Sequence, residues 1–400
     1  MDEATRLIGV NRKSYPEARA VNPPVVRTST VLYPDLATMK DHRQRRDTGE
    51  RLFTYGARGT PTAFALEDAL CELEQGDRAF LYPSGLFALA ALFLAYTEPG
   101  DHVAIIDSVY PPVRALAEKH FGKRGVTFSY FRPDTDSFKA ALRKNTRLAL
   151  LESPGSNTFE VIDLPAFSRI AKPLGVRLAV DNTWAAGHYF KPLLHGADVS
   201  VQAVTKYVGG YSDLMMGAIV TREELYRPLF ELSGSFGICV SPDDCYLALR
   251  GMKSLCARLE IHERNALKIA HWLKDQPEVA EVLHPALENS DGHEIWKRDF
   301  AGSSGLFSFA LADHYNHRSE EFVDRLQLFG IGSSWGGFES LALPVNVKSM
   351  RPETWNGSEK LIRIHVGQEA AGDLIADLSD ALSHIGQERR RSPFSSSDRA

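Results

Sequence analysis

From residue 79 to residue 220 of this 400-residue chain, short apolar runs alternate with segments of helical spacing. Apolar runs of four to seven residues are typical of strands buried on both faces, and the segments between them predict helices that cover those faces. The predicted strands are 79–82, 102–106, 147–151, 177–180, 199–204 and 216–220, and the predicted helices include 86–96, 113–120 and 164–171. The alternation therefore predicts an α/β fold with a mainly parallel sheet, in which ligands bind beyond the carboxyl ends of the strands.

The regions on either side of this alternation are patterned differently. Residues 1–50 read as an irregular N-terminal arm, extended at the NPP segment 22–24, and Thr60 followed by Pro61 marks a helix start. After about 245 the pattern predicts a helix over 244–258, a strand over 306–311 and a final helix bearing Leu374, Leu378, Leu382 and Ile385. We predict an arm at 1–50, a large cofactor-binding domain at 51–245, a smaller α+β domain at 246–387 and a disordered, charged, Ser-rich tail at 388–400.

Composition excludes several classes of function. The net charge of -5 argues against a nucleic-acid partner, and no apolar run approaches the roughly 20 residues that span a bilayer. No secretory signal is visible at the N-terminus, and the four cysteines form no C-x-x-C pair, so we expect a cytoplasmic enzyme or binding protein. The segment HEIWK at 293–297 begins like a zinc-protease helix but lacks the second histidine, and we predict no metal site.

Two charged residues lie just beyond neighbouring apolar runs. Asp181 follows the strand 177–180, and Lys206 follows the strand 199–204. A carboxylate at a buried strand end is costly unless a cation or several donors compensate it. Taken singly, either residue reads most simply as a surface group or as half of a structural ion pair.

Two further features stand at the same edge of the predicted sheet. The strand 79–82 runs into a turn that contains Ser84, Gly85 and Leu86 and then into a helix, and an exposed helix N-terminus suits a phosphate. Tyr110 follows the strand 102–106 by a short exit. Alone, such a turn connects many βα units, and an aromatic residue there is usually packing.

Together these features supply what one cofactor, pyridoxal 5'-phosphate (PLP), requires. PLP needs a lysine for its aldehyde, an anion beside its pyridine nitrogen, donors for its phosphate and a flat group against its ring. Lys206, Asp181 and Tyr110 fit the first, second and fourth roles, and Thr205 with the Ser84–Leu86 turn fits the third. We therefore predict a PLP enzyme that binds its cofactor covalently through Lys206.

A set of ordered motifs resembles a known family. They are YGARGTPT at 55–62, ESPGS at 152–156, DNTWAAG at 181–187, QAVTKY at 202–207, KRDF at 297–300, SWGG at 334–337 and IRIHVG at 362–367. The chain resembles the trans-sulfuration (Cys/Met metabolism) PLP enzymes over nearly its whole length, from 22 to about 380. Within that family, the motifs that begin at 152 and 181 resemble those of the cystathionine β-lyase branch.

The resemblance implies a fold, an assembly and a set of roles. It implies the fold-type I architecture of the aspartate aminotransferase-like enzymes, a homotetramer of two tight dimers and a small amino-acid substrate. The implied catalytic residues are Lys206, Asp181 and Tyr110. The implied phosphate ligands are Ser84, Gly85, Leu86, Thr205 and, from a neighbouring subunit, Tyr55, with Arg58 as a further candidate. Arg363 is implied to bind the substrate carboxylate, with Ser334, Trp335 and Tyr55 in the same pocket.

Departures from the family pattern leave alternatives open. Ala57 stands where the family usually has a phosphate-binding arginine, so either Arg58 replaces it or the phosphate has one cationic partner fewer. Thr54 and Ser333 stand where aromatic residues are expected, which predicts a roomier and more polar pocket.

The predicted activity is β-elimination of L-cystathionine or a related cysteine S-conjugate. The alternatives are γ-elimination or γ-replacement on the same cofactor, and a PLP-holding regulatory protein.

Overall fold

The computed structural model describes residues 2–10, 20–351 and 354–387, and they form two β-sheets and their covering helices. The strands are β1 Arg78–Tyr82, β2 His102–Ile106, β3 Thr127–Phe131, β4 Thr146–Glu152, β5 Arg177–Asp181, β6 Val199–Gln202, β7 Gly217–Thr221, β8 Val279–Leu283, β9 Leu306–Leu311, β10 Leu341–Asn346 and β11 Lys360–His365. The helices are α1 Glu3–Gly9, α2 Leu36–Asp47, α3 Pro61–Glu74, α4 Gly85–Tyr96, α5 Pro112–Leu116, α6 Thr135–Ala141, α7 Leu164–Ala171, α8 Tyr226–Phe236, α9 Pro242–Met252, α10 Leu255–Lys274, α11 His293–Asp299, α12 Ser319–Arg325, α13 Val347–Met350 and α14 Ala371–Gln387.

The larger sheet has seven strands in the order β1-β7-β6-β5-β4-β2-β3. Strands β6, β5, β4, β2 and β3 are parallel, whereas β7 pairs antiparallel with both β1 and β6. The predicted mainly parallel sheet is confirmed, and the strands at 102–106 and 306–311 have the predicted limits. Because β1 and β6 are both antiparallel to β7, they run in the same direction. The carboxyl ends of β1, β6, β5, β4 and β2 therefore meet at one edge of the sheet.

Helix α3 illustrates how the sequence pattern forms the core. The Thr60 side chain accepts the backbone N–H of Ala63, and Pro61 occupies the first helical position, as predicted. The stripe that includes Leu66, Leu70 and Leu73 is fully buried. Helix α4 is apolar on all sides and is buried over much of its length, which suits its position beside the large sheet.

The smaller sheet is antiparallel and has the order β10-β11-β9-β8. A buried arginine, Arg351, connects this part of the chain to the larger sheet. Its guanidinium lies 2.8 Å from Asp107, just after β2, and 2.6 Å from Glu160, in the segment after β4. The predicted domain limits at 50, 245 and 387 stay a prediction.

The prediction that residues 1–50 are irregular was wrong in part, because α1 and α2 lie in this region. Asp2 caps α1 and Asp35 caps α2, each through its side chain. Helix α2 has no buried residue, so it carries no apolar stripe that would predict it. The segment around Pro24 contacts α3, where Thr62 donates to Pro24 O at 2.9 Å, and its predicted extended path stays a prediction.

The remaining differences concern one strand that was not predicted and one helix whose limits were wrong. The strand β3 was missed because it is a sheet-edge strand whose side chains are mostly half-exposed. The helix predicted over 244–258 is two helices, α9 and α10, which meet near Ser254. The final helix is confirmed, whereas the predicted tail 388–400 lies outside the described residues. None of the described helices is both long and apolar enough to cross a membrane.

Candidate active site

Lys206 lies four residues beyond β6, in a half-buried position at the carboxyl edge of the large sheet. Its Nζ donates to Ser334 Oγ at 2.8 Å and lies 5.1 Å from the centre of the Trp335 ring. Burial, together with the nearby charge of Arg363, lowers the pKa of Lys206 to about 8, although Asp181 acts in the opposite direction. Near pH 7 the amine is therefore still mostly protonated, but about one molecule in ten carries it neutral, far more than for an ordinary lysine.

Asp181 ends the neighbouring strand β5. One carboxylate oxygen accepts both the hydroxyl of Thr183 at 2.5 Å and the backbone N–H of Thr183 at 3.1 Å. Burial raises the pKa of Asp181, whereas the bonds from Thr183 and the charge of Lys206 oppose that rise. Thr183 also accepts the backbone N–H of Ala203 at 2.9 Å, so one hydroxyl connects Asp181 to the segment that carries Lys206.

Tyr110 follows β2, and 45% of the residue is exposed, so part of its surface is open to a ligand. Its backbone N–H donates to Glu152 Oε2 at 2.6 Å, and Glu152 ends β4. Burial and the charges of Asp181 and Glu152 raise the pKa of the Tyr110 phenol, whereas Arg363 lowers it. The strand order β6-β5-β4-β2 thus brings Lys206, Asp181, Glu152 and Tyr110 together from four adjacent strand ends.

Arg363 comes from the smaller sheet, in the middle of β11. It donates to the backbone oxygens of Gly332, Ser333 and Ser334 at 3.2–3.5 Å, and it forms no ion pair with a described carboxylate. These carbonyls orient the side chain without neutralising it. The guanidinium is therefore available to an anionic ligand group on the same side as Lys206 and Tyr110.

The turn between β1 and α4 is held against the Lys206 segment. Ser84 caps α4 by accepting the backbone N–H of Phe87 at 3.1 Å. At Gly85 an added Cβ would lie 2.7 Å from Ala203 Cβ, so a side chain does not fit there. Thr205 exchanges hydrogen bonds with the backbone of Met216, donating at 3.1 Å and accepting at 2.9 Å. Gly85 and Leu86 begin the 12-residue helix α4, whose N-terminus favours a phosphate.

Tyr55 and Arg58 are not brought to Lys206 within the described chain. Tyr55 is 49% exposed, and neither residue bonds to a described residue of the Lys206 cluster. Arg58 instead lines a separate cavity of about 570 Å³ together with Phe230 and Gly234, and Lys206 and Asp181 do not line it. Their assignment to a neighbouring subunit's phosphate site stays a prediction.

The clustered side chains fit PLP in their chemistry. Lys206 offers a partly neutral amine, Asp181 a carboxylate held by two donors, and Tyr110 a flat and accessible ring. The packed turn at Gly85 offers the start of a helix for the phosphate, and Arg363 offers a cation for a second anionic group. The arrangement can therefore hold a phosphorylated aromatic aldehyde beside an amino-acid substrate.

Two residues of this cluster were absent from the predicted set. Glu152 and Thr183 lie within matched motifs, but sequence reasoning gave neither a role. For Glu152 the available signal was its position at the end of the strand predicted over 147–151, beside the end of the strand that precedes Asp181. For Thr183 the signal was a hydroxyl two residues after a buried carboxylate, a spacing that allows a local hydrogen bond.

Comparison with known proteins gives concordant results. A family model described as "Cys/Met metabolism PLP-dependent enzyme" matches residues 4–383. A cystathionine beta-lyase from Bordetella avium is 43% identical over 368 residues, which cover 91% of this chain and 92% of that protein. An L-alanine/L-glutamate racemase from Wolbachia pipientis is 39% identical over 400 residues, which cover 96% and 98%.

A solved structure is similar over almost the same span. The cystathionine gamma-lyase from Lactobacillus plantarum, complexed with L-serine, superposes with a TM-score of 0.87 at 28% identity and covers 96% of this chain and 100% of that one. The fold-type I architecture implied by the resemblance is thereby confirmed. On the family match and the identity to its members, the chain belongs to the Cys/Met metabolism PLP-dependent enzymes.

Proposed function

We propose that this protein is a PLP-dependent carbon–sulfur β-lyase that cleaves L-cystathionine or a related cysteine S-conjugate to a thiol, pyruvate and ammonia. The observation that carries the proposal is the partly neutral amine of Lys206 near the half-buried carboxylate of Asp181 at adjacent strand ends. The identity to a cystathionine beta-lyase over most of both chains supports the choice of reaction.

Each side chain has a defined part in this proposal. When bound, PLP stabilises negative charge at the α-carbon of an amino acid. Lys206 would hold the cofactor through its amine and, in its neutral form, would accept the α-proton of the amino acid. Asp181 would hold the cofactor's ring nitrogen through its negative charge, and Arg363 would bind the substrate carboxylate.

Cleavage of the carbon–sulfur bond requires a proton donor for the departing sulfur. Ser334 accepts a hydrogen bond from Lys206 Nζ at 2.8 Å and so orients the amine within the cleft. Either protonated Lys206 or Tyr110, whose pKa is raised and which therefore keeps its phenolic proton, can donate that proton. Water then converts the remaining three-carbon fragment to pyruvate and ammonia.

The decisive variant is Lys206→Ala. We expect it to lose the visible absorbance of the covalently bound cofactor and about 10³-fold or more in kcat, because both attachment and proton transfer depend on the amine. Lys139→Ala, which removes an exposed lysine, is the matched control and should equal the parent protein. Parent-level turnover in the Lys206 variant would contradict the proposal.

Product analysis separates this reaction from its rivals. β-Elimination yields pyruvate, γ-elimination yields 2-oxobutyrate, and a racemase such as the Wolbachia relative yields the D-amino acid. Because Thr54 and Ser333 are small and polar, a panel of cysteine S-conjugates with polar distal groups should be tested beside L-cystathionine. We expect pyruvate and a free thiol, and 2-oxobutyrate as the main product would favour the γ-elimination alternative.

The proposal extends to assembly and location. The family resemblance favours a homotetramer of two tight dimers in which Tyr55 reaches a neighbouring active site. A variant pair tests this arrangement: inactive Lys206→Ala and Tyr55→Ala chains, mixed under subunit-exchange conditions, should regain part of the activity. The cysteine pattern favours a cytoplasmic location.

A further inference from the structure

Glu152 is an acidic residue of the cluster that the proposed reaction does not use. It ends β4 directly opposite Asp181 in the parallel register between β4 and β5. Paired residues on adjacent strands point to the same face of the sheet, so the two carboxyl groups lie side by side. Two carboxyl groups side by side are unfavourable when both are charged, and their placement calls for a physical reason.

The contacts of Glu152 point toward Tyr110. Its Oε2 accepts the backbone N–H of Tyr110 at 2.6 Å, which is a short bond to the residue whose phenol lies near Asp181 and Arg363. Tyr110 lies on the loop that leaves β2, and 45% of the residue is exposed. The bond from Glu152 therefore connects a rigid strand end to a loop residue.

The two neighbouring carboxyl groups are treated differently by their surroundings. Burial and the charge of Asp181 raise the pKa of Glu152 well above its ordinary value, although the Tyr110 N–H and Ser156 act against this. Asp181, in contrast, has both donors of Thr183 and the charge of Lys206 to favour its ionised form. Burial raises the pKa of Asp181 as well, but these donors and this charge oppose the rise, whereas the charge of Asp181 adds to the rise at Glu152.

We propose that Glu152 is a positioning residue of this site: its carboxyl group accepts the backbone N–H of Tyr110 and so holds the phenol beside Asp181 and Arg363. The inference rests on the proposed function. It concerns the acceptor oxygen and not a negative charge, so a neutral side chain of the same shape that keeps the oxygen must serve equally well.

Glu152→Gln and Glu152→Met form a matched pair of similar volume, of which only the first keeps the acceptor oxygen. We expect Glu152→Gln to stay within about threefold of the parent kcat. Glu152→Met should lose roughly 10- to 100-fold in kcat with little change in KM, because a misplaced catalytic group is costly in rate. The circular dichroism band of the bound cofactor should change in Glu152→Met alone. Glu152→Ala replaces it if Glu152→Met does not fold.

A double-variant cycle shows whether Glu152 acts through Tyr110. In a Tyr110→Ala background, Glu152→Met should lower kcat by less than about twofold, because the group it positions is already missing. Full additivity of the two losses, or equal losses in Glu152→Gln and Glu152→Met, would overturn the inference.

The comparison of cofactor dichroism between Glu152→Gln and Glu152→Met does not require turnover. A parent that binds PLP without eliminating thiol would refute the proposed function, while that comparison still decides the role of Glu152.

Discussion

At the scale of single residues, the chemistry of this site depends on how neighbouring residues shift the pKa of each ionisable side chain. Asp181 and Glu152 are both carboxylic acids at strand ends, yet Thr183 and Lys206 favour the ionised form of Asp181, whereas Asp181 itself disfavours ionisation of Glu152. Lys206 is likewise an ordinary lysine whose pKa burial and Arg363 lower to about 8. These differences arise from surroundings that the residue types do not reveal.

The hydroxyl of Thr183 is expected to matter through Asp181. Thr183→Val removes the 2.5 Å bond to the carboxylate, so the pKa of Asp181 should rise further and its hold on a positively charged ring nitrogen should weaken. We expect roughly 10- to 100-fold weaker PLP binding, since a hydrogen bond to a charged group contributes about 1.5–3 kcal/mol. Absorbance titration of the cofactor-free protein with PLP measures this.

Thr183→Ser is the control for that measurement. It keeps the hydroxyl and loses only a methyl group, so its PLP affinity should stay near the parent value. If Thr183→Val binds PLP as tightly as Thr183→Ser does, the Thr183 hydroxyl does not support the charge of Asp181.

At the scale of elements, the site depends on a turn that approaches another segment closely. Between β1 and α4 the backbone at Gly85 touches Ala203, three residues before Lys206. Sequence reasoning identified the turn and its glycine, because a strand followed by a Gly-containing turn and a helix is a recognisable pattern. It did not identify the partner, because 118 positions separate two residues that meet only when β1 and β6 lie in one sheet.

Gly85→Ala tests this contact. An added Cβ would lie 2.7 Å from Ala203 Cβ, so the turn must move away from the Lys206 segment and PLP binding should weaken by about tenfold or more. Gly372→Ala, at a site in α14 where an added Cβ meets nothing within 4 Å, should bind PLP normally. The double variant Gly85→Ala/Ala203→Gly should recover part of the affinity, and a failure of Gly85→Ala to change it would contradict the close approach.

At the scale of the whole molecule, the site requires both sheets. Lys206, Asp181 and Tyr110 come from the seven-stranded sheet, whereas Arg363, Ser334 and Trp335 come from in and around the four-stranded sheet. Arg351 connects the two parts through Asp107 and Glu160, and its side chain is 5% exposed. Removing one partner of a buried ion pair leaves the other charge uncompensated.

Arg351→Met is therefore expected to lower the free energy of unfolding by about 3–5 kcal/mol. Chemical denaturation monitored by tryptophan fluorescence measures this loss. Arg351→Lys keeps the charge but not the forked geometry, so it should lose less. A denaturation midpoint for Arg351→Met equal to that of the parent would show that the ion pairs do not join the two parts.

The sequence alone was sufficient for most strands of the large sheet, and it supplied the candidate site residues that stay a prediction. Apolar runs bounded by turns predicted six strands of the parallel sheet region, because burial on both faces leaves a pattern that is readable locally. The edge strand β3 and the exposed helix α2 were missed, since neither buries a full face. Lys206, Asp181 and Tyr110 were predicted because each follows such a run, and ligands of parallel sheets bind there.

The tertiary structure decided which of these residues meet and in what state of charge. Local periodicity does not reveal the order of strands in a sheet. That order places Glu152 beside Asp181 and within hydrogen-bond distance of the backbone N–H of Tyr110. The pKa of a side chain depends on burial and on charges brought from distant positions, such as Arg363 beside Lys206. The sequence therefore specifies the residue types, whereas folding determines which residues are neighbours and, through them, the pKa of each group.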